Sequence, residues 1–225
     1  MPLAVLPSLF PDRQPCSALC RRPRRGRAPS CEIFAVYLSS DGHSLVEPYD
    51  LELYHDKLVS KCPLFTTEAT GLAKASAVFQ GEQTIPRLLD YCQTLGSDSD
   101  FRRMCVLDAI TLNPDRHYGN FGFLFDNQTM AIVGMAPVFD NNRALFPELD
   151  EDALAAPDWY IDHCRPKLGR DFIITARGLM TDEIRADLEK LKDFQFENHP
   201  RIPIRENRLE LLSSLVQRQI SLILK

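Results

Sequence analysis

Apolar positions recur at helical spacing through most of the second half of the chain and give way to alternating or continuous apolar runs in the first half and in one central segment. IPRLLDYCQTL reads as a helix that ends at Gly96, a natural C-terminal stop. Asp98 or Asp100 can cap the next helix, FRRMCVLDAITL, whose Phe101, Cys105, Asp108 and Leu112 fall on one face. Asp108 is then either a buried carboxylate or a residue on the helix margin. Thr181, followed by Asp182 and Glu183, starts a helix with Ile184, Leu188 and Leu191 as its buried stripe. Asn207 is placed to cap a final helix carrying Leu209, Leu212, Val216, Ile220 and Ile223 at helical intervals. Such stripes read as core. Strand signals are sparser: EIFAVYL, then HSLVEPYDLELY as a second strand or crossover ending at Pro48. Lys57 and Lys61 read as surface residues on a short helix after these strands.

Between the helices, FGFLF is strand-like, Asp126-Asn127 is a turn signal, and AIVGM is an apolar run that returns the chain as a hairpin. Its flanks carry chemistry. Asp115 precedes Asn120 with four residues between them, which lets one short loop aim a carboxylate at a hydroxyl and an amide oxygen at a magnesium ion. Asn113-Pro114-Asp115 sets the bend, and Gly119 is expected to let the chain reverse near the metal. At the far end, Pro137-Val138-Phe139-Asp140 brings a second acid back beside Asn120. Turn propensity explains any one of these residues; the ordered set with an apolar hairpin inside it points to phosphoryl transfer. Arg116 meets either a phosphate or a surface carboxylate, or is simply solvated. His117 is either a catalytic contact or a structural histidine on a backbone carbonyl. A metallohydrolase built from Asp115, His117 and Asp140 ranks lower, because no further histidine lies at ligand spacing.

NPDRHYGNFGFLFD followed by APVFDNNRALF resembles the catalytic core of HipA-like serine/threonine kinases, including toxin kinases of bacterial toxin-antitoxin modules. The resemblance runs from about Cys31 to the C-terminus and is specific at residues 108–146. It implies an α+β fold: a mainly helical kinase C-lobe with a catalytic β-hairpin and only a remnant of the N-lobe sheet. It also implies ATP and Mg2+ as cofactors, Asp115 as base with His117 in support, and Asn120 and Asp140 as the nucleotide-binding metal ligands. Asn141 and Asn142 stand where eukaryotic protein kinases have Phe-Gly after the metal aspartate. Phosphoinositide kinases also carry an Asp-Arg-His loop ending in asparagine, so the loop alone does not choose protein over lipid.

Composition sets bounds on this picture. The 225 residues carry a formal net charge of -5, which gives no support for general nucleic-acid affinity. Seven cysteines at scattered positions make neither a disulfide framework nor a zinc signature and suggest a reducing, cytoplasmic setting. No apolar run reaches the ~18 residues needed to span a bilayer. Residues 1–30 hold six prolines, six arginines and two cysteines without period, and read as a disordered or non-native-looking tail. Residues 31–50 then form an N-lobe remnant and hinge, and 51–225 the C-lobe. The acidic run Glu148, Asp150, Glu151 and Asp152 reads as a solvated loop.

A kinase also needs a phosphate-covering loop and a strand lysine. No lysine precedes Lys57, and no glycine cluster lies upstream of the hinge. Losing that clamp removes several orders of magnitude in rate, so the isolated chain is expected to turn over poorly. The alternatives are a pseudokinase or binding module, or an inactive gene remnant. The partners implied are a protein substrate, an antitoxin-like regulator or a chain that supplies the N-lobe.

Overall fold

The computed structural model describes residues 17–19, 50–55, 57–79, 82 and 84–225, and among these residues are two small antiparallel sheets and eight helices. The first sheet has strand order β1-β3-β2, from β1 (Ser17–Leu19), β2 (Asp50–Tyr54) and β3 (Lys57–Pro63). β2 and β3 form a hairpin with Asp50 opposite Lys61, and His55 takes a positive φ of 48° in its turn. One expectation changes here. Lys57 and Lys61 belong to a strand rather than a helix turn, because Lys57–Lys61 pair with β2 and Lys61–Pro63 pair with β1. Ser17–Leu19, inside the segment read as a tail, pairs with Lys61–Pro63. EIFAVYL, Pro48 and the six arginines of residues 1–30 lie outside the described residues.

The second sheet, β4-β5-β6, carries the hairpin read from the sequence: β5 (Gly122–Asp126) and β6 (Ile132–Met135) pair antiparallel, with an irregularity at Leu124/Phe125. The Asp126 carboxylate accepts from the Gln128 and Thr129 amides and the Thr129 hydroxyl, which closes the turn. β4 (Thr70–Lys74) adds a strand that alternation did not announce, with Lys74 opposite Gly122. Only glycine fits at 122, where a Cβ would stand 2.3 Å from the Ala73 carbonyl oxygen.

The helices are α1 (Ala75–Val78), α2 (Ile85–Thr94), α3 (Asp98–Ile110), α4 (Glu151–Ala155), α5 (Asp158–His163), α6 (Phe172–Gly178), α7 (Asp182–Lys190) and α8 (Glu206–Leu224). α2 ends as expected, with Gly96 at a positive φ of 65° just beyond it. α3 is not amphipathic. Phe101 and every residue from Arg103 to Ile110 are buried, because α2, α6 and α8 all pack around it. The buried Arg103 guanidinium is matched by Glu183 at 2.7 Å and Asp187 at 2.9 Å, both from α7. Asp98 and Asp100 sit in the first turn of α3, where they favour the helix dipole, and Ser97 holds the cap position without a capping side-chain bond, its hydroxyl accepting instead from the Met135 amide.

Thr181 caps α7 as expected, its hydroxyl accepting from the Ile184 amide at 3.2 Å, with Ile184, Leu188 and Leu191 buried. The five apolar residues read for the last helix are buried in α8. Asn207, however, lies inside α8, whose cap position is Arg205. The acidic run is also not a loop: Asp150 caps α4 through the Ala153 amide, and Glu151 and Asp152 fill its first turn. Among the described residues, no helix is long and apolar enough to cross a membrane.

Candidate functional site

The central helix α3 delivers the chain to the site. It stops at Thr111, whose hydroxyl bonds back to the Leu107 carbonyl, and Leu112 follows with a positive φ of 50°. Asn113 then makes the bend: its side-chain oxygen accepts from the Asp115 amide at 3.2 Å, and its side-chain amide donates to Asp108 at 3.0 Å. Asp108 is thus a buried carboxylate under the loop. Burial pushes its pKa above the ordinary carboxylate value, against the opposing pull of Arg116 and Asn113.

Arg116 organises everything around it. Its guanidinium is 1% exposed and donates through Nε and Nη2 to Asp108, at distances down to 2.9 Å. Nη1 donates to the Asn120 carbonyl and to the Phe139 carbonyl, each at 2.7 Å. Nη2 also reaches the side-chain oxygen of Asn141 at 2.5 Å. One planar, permanently charged group therefore ties the helix, the Asp115–Asn120 loop and the segment before Asp140 into one unit. This corrects the phosphate, surface-carboxylate and solvated readings of Arg116 together: its charge is consumed inside the protein. It also answers how residues on either side of a hairpin meet, since the Asn120 and Phe139 oxygens lie within two hydrogen-bond lengths of each other.

Asn120 is 6% exposed, and its side-chain amide donates to the Asp115 carbonyl at 2.9 Å. No hydrogen bond is seen to its Oδ1 among the described residues, and a side-chain amide oxygen is a donor of the kind hard cations accept. Asp140 adopts a positive φ of 58°, and Asn142 donates to its Oδ1 at 2.5 Å. Strained aspartates of this kind cluster at ligand sites. Leu145 and Phe146, also at positive φ, complete the turn, and the Leu145 amide donates to the Thr111 carbonyl at 2.7 Å. Phe65, between the two sheets in sequence, stacks on Phe139 with ring centroids 6.0 Å apart.

His117 is exposed, and its Nδ1 accepts from the Gly119 amide at 3.0 Å, so the histidine bonds a backbone N–H rather than the carbonyl expected. Gly119 does not make the reversal by a positive φ that its sequence suggested; a Cβ there would stand 2.9 Å from the His117 ring. Asp115 is partly exposed at 28%, and Lys167 places its ammonium 2.5 Å from Asp115 Oδ1. Lys167, Asn141 and Asn142 were not singled out as contacts by the sequence, and only the asparagines had a signal, their adjacency to Asp140.

Among the described residues no group of three or more His, Cys, Asp or Glu is arranged to hold a metal, so the metallohydrolase reading finds no cluster. An amide oxygen and one carboxylate suit magnesium, which draws its remaining oxygens from phosphates and water.

No protein-family model and no curated protein matches the chain. Among solved structures, the proinflammatory kinase CtkA of Helicobacter pylori aligns with a TM-score of 0.57 at 18% identity, covering 88% of this chain and 87% of that one. The chain therefore has a kinase-like fold, mixed helix and small antiparallel sheet.

Proposed function

We propose that the chain is an ATP-dependent phosphotransferase of the HipA-like kind that acts on serine or threonine hydroxyls of proteins. The observation that carries this reading is the Arg116 guanidinium, which joins the Asn120 and Phe139 carbonyls to the buried Asp108 and so brings the backbone at Asn120 close to the backbone that leads into Asp140. The similarity to a solved protein described as a kinase supports it, and the share of that chain covered, 87%, means that length does not set the two apart.

Asp115 is assigned as the base. It accepts the proton of the acceptor hydroxyl as that oxygen bonds the γ-phosphorus, while the bond from the γ-phosphorus to the bridging oxygen breaks and ADP departs with the electron pair. Asn120 and Asp140 would hold magnesium, which when bound would neutralise charge on the nucleotide phosphates. Their fit to it rests on the Asn120 Oδ1, to which no hydrogen bond is seen among the described residues, and on Asn142, which orients the Asp140 carboxylate. His117 shapes the loop through the Gly119 amide.

The test is transfer of label from γ-labelled ATP to the chain itself and to a seryl/threonyl peptide library. Label on serine or threonine is expected, abolished by chelating magnesium and lost in Asp140→Ala. Label that survives both treatments belongs to another enzyme and refutes the assignment.

A further inference from the structure

The ammonium of Lys167, seated on the carboxylate of Asp115, is left without a task by the proposal above. We propose that Lys167 binds the γ-phosphate of the nucleotide, trading its bond to Asp115 for one to a γ-phosphate oxygen when Mg-ATP enters. The inference rests on Asp115, Asn120 and Asp140 forming the nucleotide site.

The segment between α5 and α6 that bears Lys167 is held against the catalytic loop. Cys164 Sγ lies 3.8 Å from the Leu112 carbonyl, and the Lys167 amide donates to the Pro114 carbonyl at 3.2 Å. Gly169, at a positive φ of 88°, lets the backbone pass where a Cβ would stand 2.6 Å from the Thr175 hydroxyl. Asp171 then caps α6 by accepting from the Ile174 amide at 2.9 Å. The backbone is thus anchored on both sides of Lys167, while the side chain is 56% exposed and free to swing on its four-carbon stem.

Reach and energetics both favour the exchange. A hydroxyl poised for attack stands about 3 Å from its base and about 3–3.5 Å from the phosphorus, so the γ-phosphoryl group comes within roughly 6 Å of the Asp115 carboxylate. An ammonium already on that carboxylate needs only a small rotation to meet it. A pair this exposed contributes little to stability, so leaving it costs little. A γ-phosphate carries more charge than a carboxylate and develops more during transfer, which favours the new partner.

Calorimetric titration of the full chain with Mg-ATP and with Mg-ADP separates this role from a brace for Asp115. Lys167→Met is expected to weaken Mg-ATP binding about tenfold, the loss of one charge-assisted bond, and to leave Mg-ADP binding unchanged. Lys167→Arg should retain most of the ATP affinity, and unchanged melting of both variants shows that they fold. If Lys167→Met alters neither nucleotide, or both alike, Lys167 does not bind the γ-phosphate and the inference falls while the nucleotide site stands. If the wild-type chain binds neither nucleotide, the site assignment fails and takes the inference with it.

Discussion

Arg116→Met is expected to destabilise the chain by about 3–5 kcal/mol, the cost of leaving a buried carboxylate without its partner. That is a large share of the roughly 5–15 kcal/mol that holds a domain folded. The size follows from where the guanidinium sits. At 1% exposure it is the charge partner of Asp108, and it also satisfies the Asn120 and Phe139 carbonyls and the Asn141 side chain. Lysine does not rescue it, because one ammonium cannot bond in the same plane to a helix carboxylate and two loop carbonyls. Asp108→Asn combined with Arg116→Met should recover part of the loss, since the stranded charge is then gone.

The same variant makes a pH prediction with a definite sign. Burial already raises the Asp108 pKa, and Arg116 opposes that rise, so its removal raises it further. A carboxyl whose folded pKa lies above its unfolded value keeps its proton in the folded state after the unfolded chain has lost it. Stability therefore falls as pH rises from the unfolded pKa through the folded one. Arg116→Met should be more stable in mild acid than at neutrality, and the double variant should lose that slope. Urea unfolding at several pH values reads both effects; a variant as stable as wild type with no pH slope would remove Arg116 from the centre of the fold.

Asp115→Asn carries the largest expected kinetic effect, a loss of about 10²–10⁴-fold in phosphoryl transfer, typical of removing a general base. The substitution keeps the size and shape of the side chain and takes away its capacity to hold the proton. Its contacts limit collateral damage. The Asp115 backbone, not its side chain, makes the bonds to Asn113, His117 and Asn120 that shape the loop. Among the described residues its one side-chain partner is Lys167, in an exposed pair whose loss costs about 0–1 kcal/mol. Steady-state rates with Mg-ATP should show kcat collapse with little change in KM for ATP and no shift in melting temperature. Equal turnover by Asp115→Asn would place the base elsewhere.

What the sequence revealed were features set over short distances. The β5–β6 hairpin was legible because apolar runs flank a turn whose Asp126 bonds its own following amides. The same holds for the Thr181 cap and for the Asn113 bend. The role of Arg116 was not legible, since its burial depends on Asp108, Phe139 and Asn141 closing around it from two other segments. α3 misled for a related reason: neighbours on every side bury residues such as Arg103 that a one-faced pattern leaves in water. β4 escaped because TGLAK is short and glycine-containing and is defined only by its register with β5. Lys167 lies 52 residues from Asp115, and nothing in its local sequence marks the contact.

Calorimetric titration of the chain with ATP, with and without magnesium, against wild type and Asp140→Ala tests the central claim that Arg116 assembles a metal–nucleotide site from Asn120 and Asp140. Magnesium-dependent binding by wild type that disappears in a folded Asp140→Ala variant is the expected result. A folded wild-type chain that takes up no nucleotide, or one whose binding ignores both magnesium and Asp140, would contradict it.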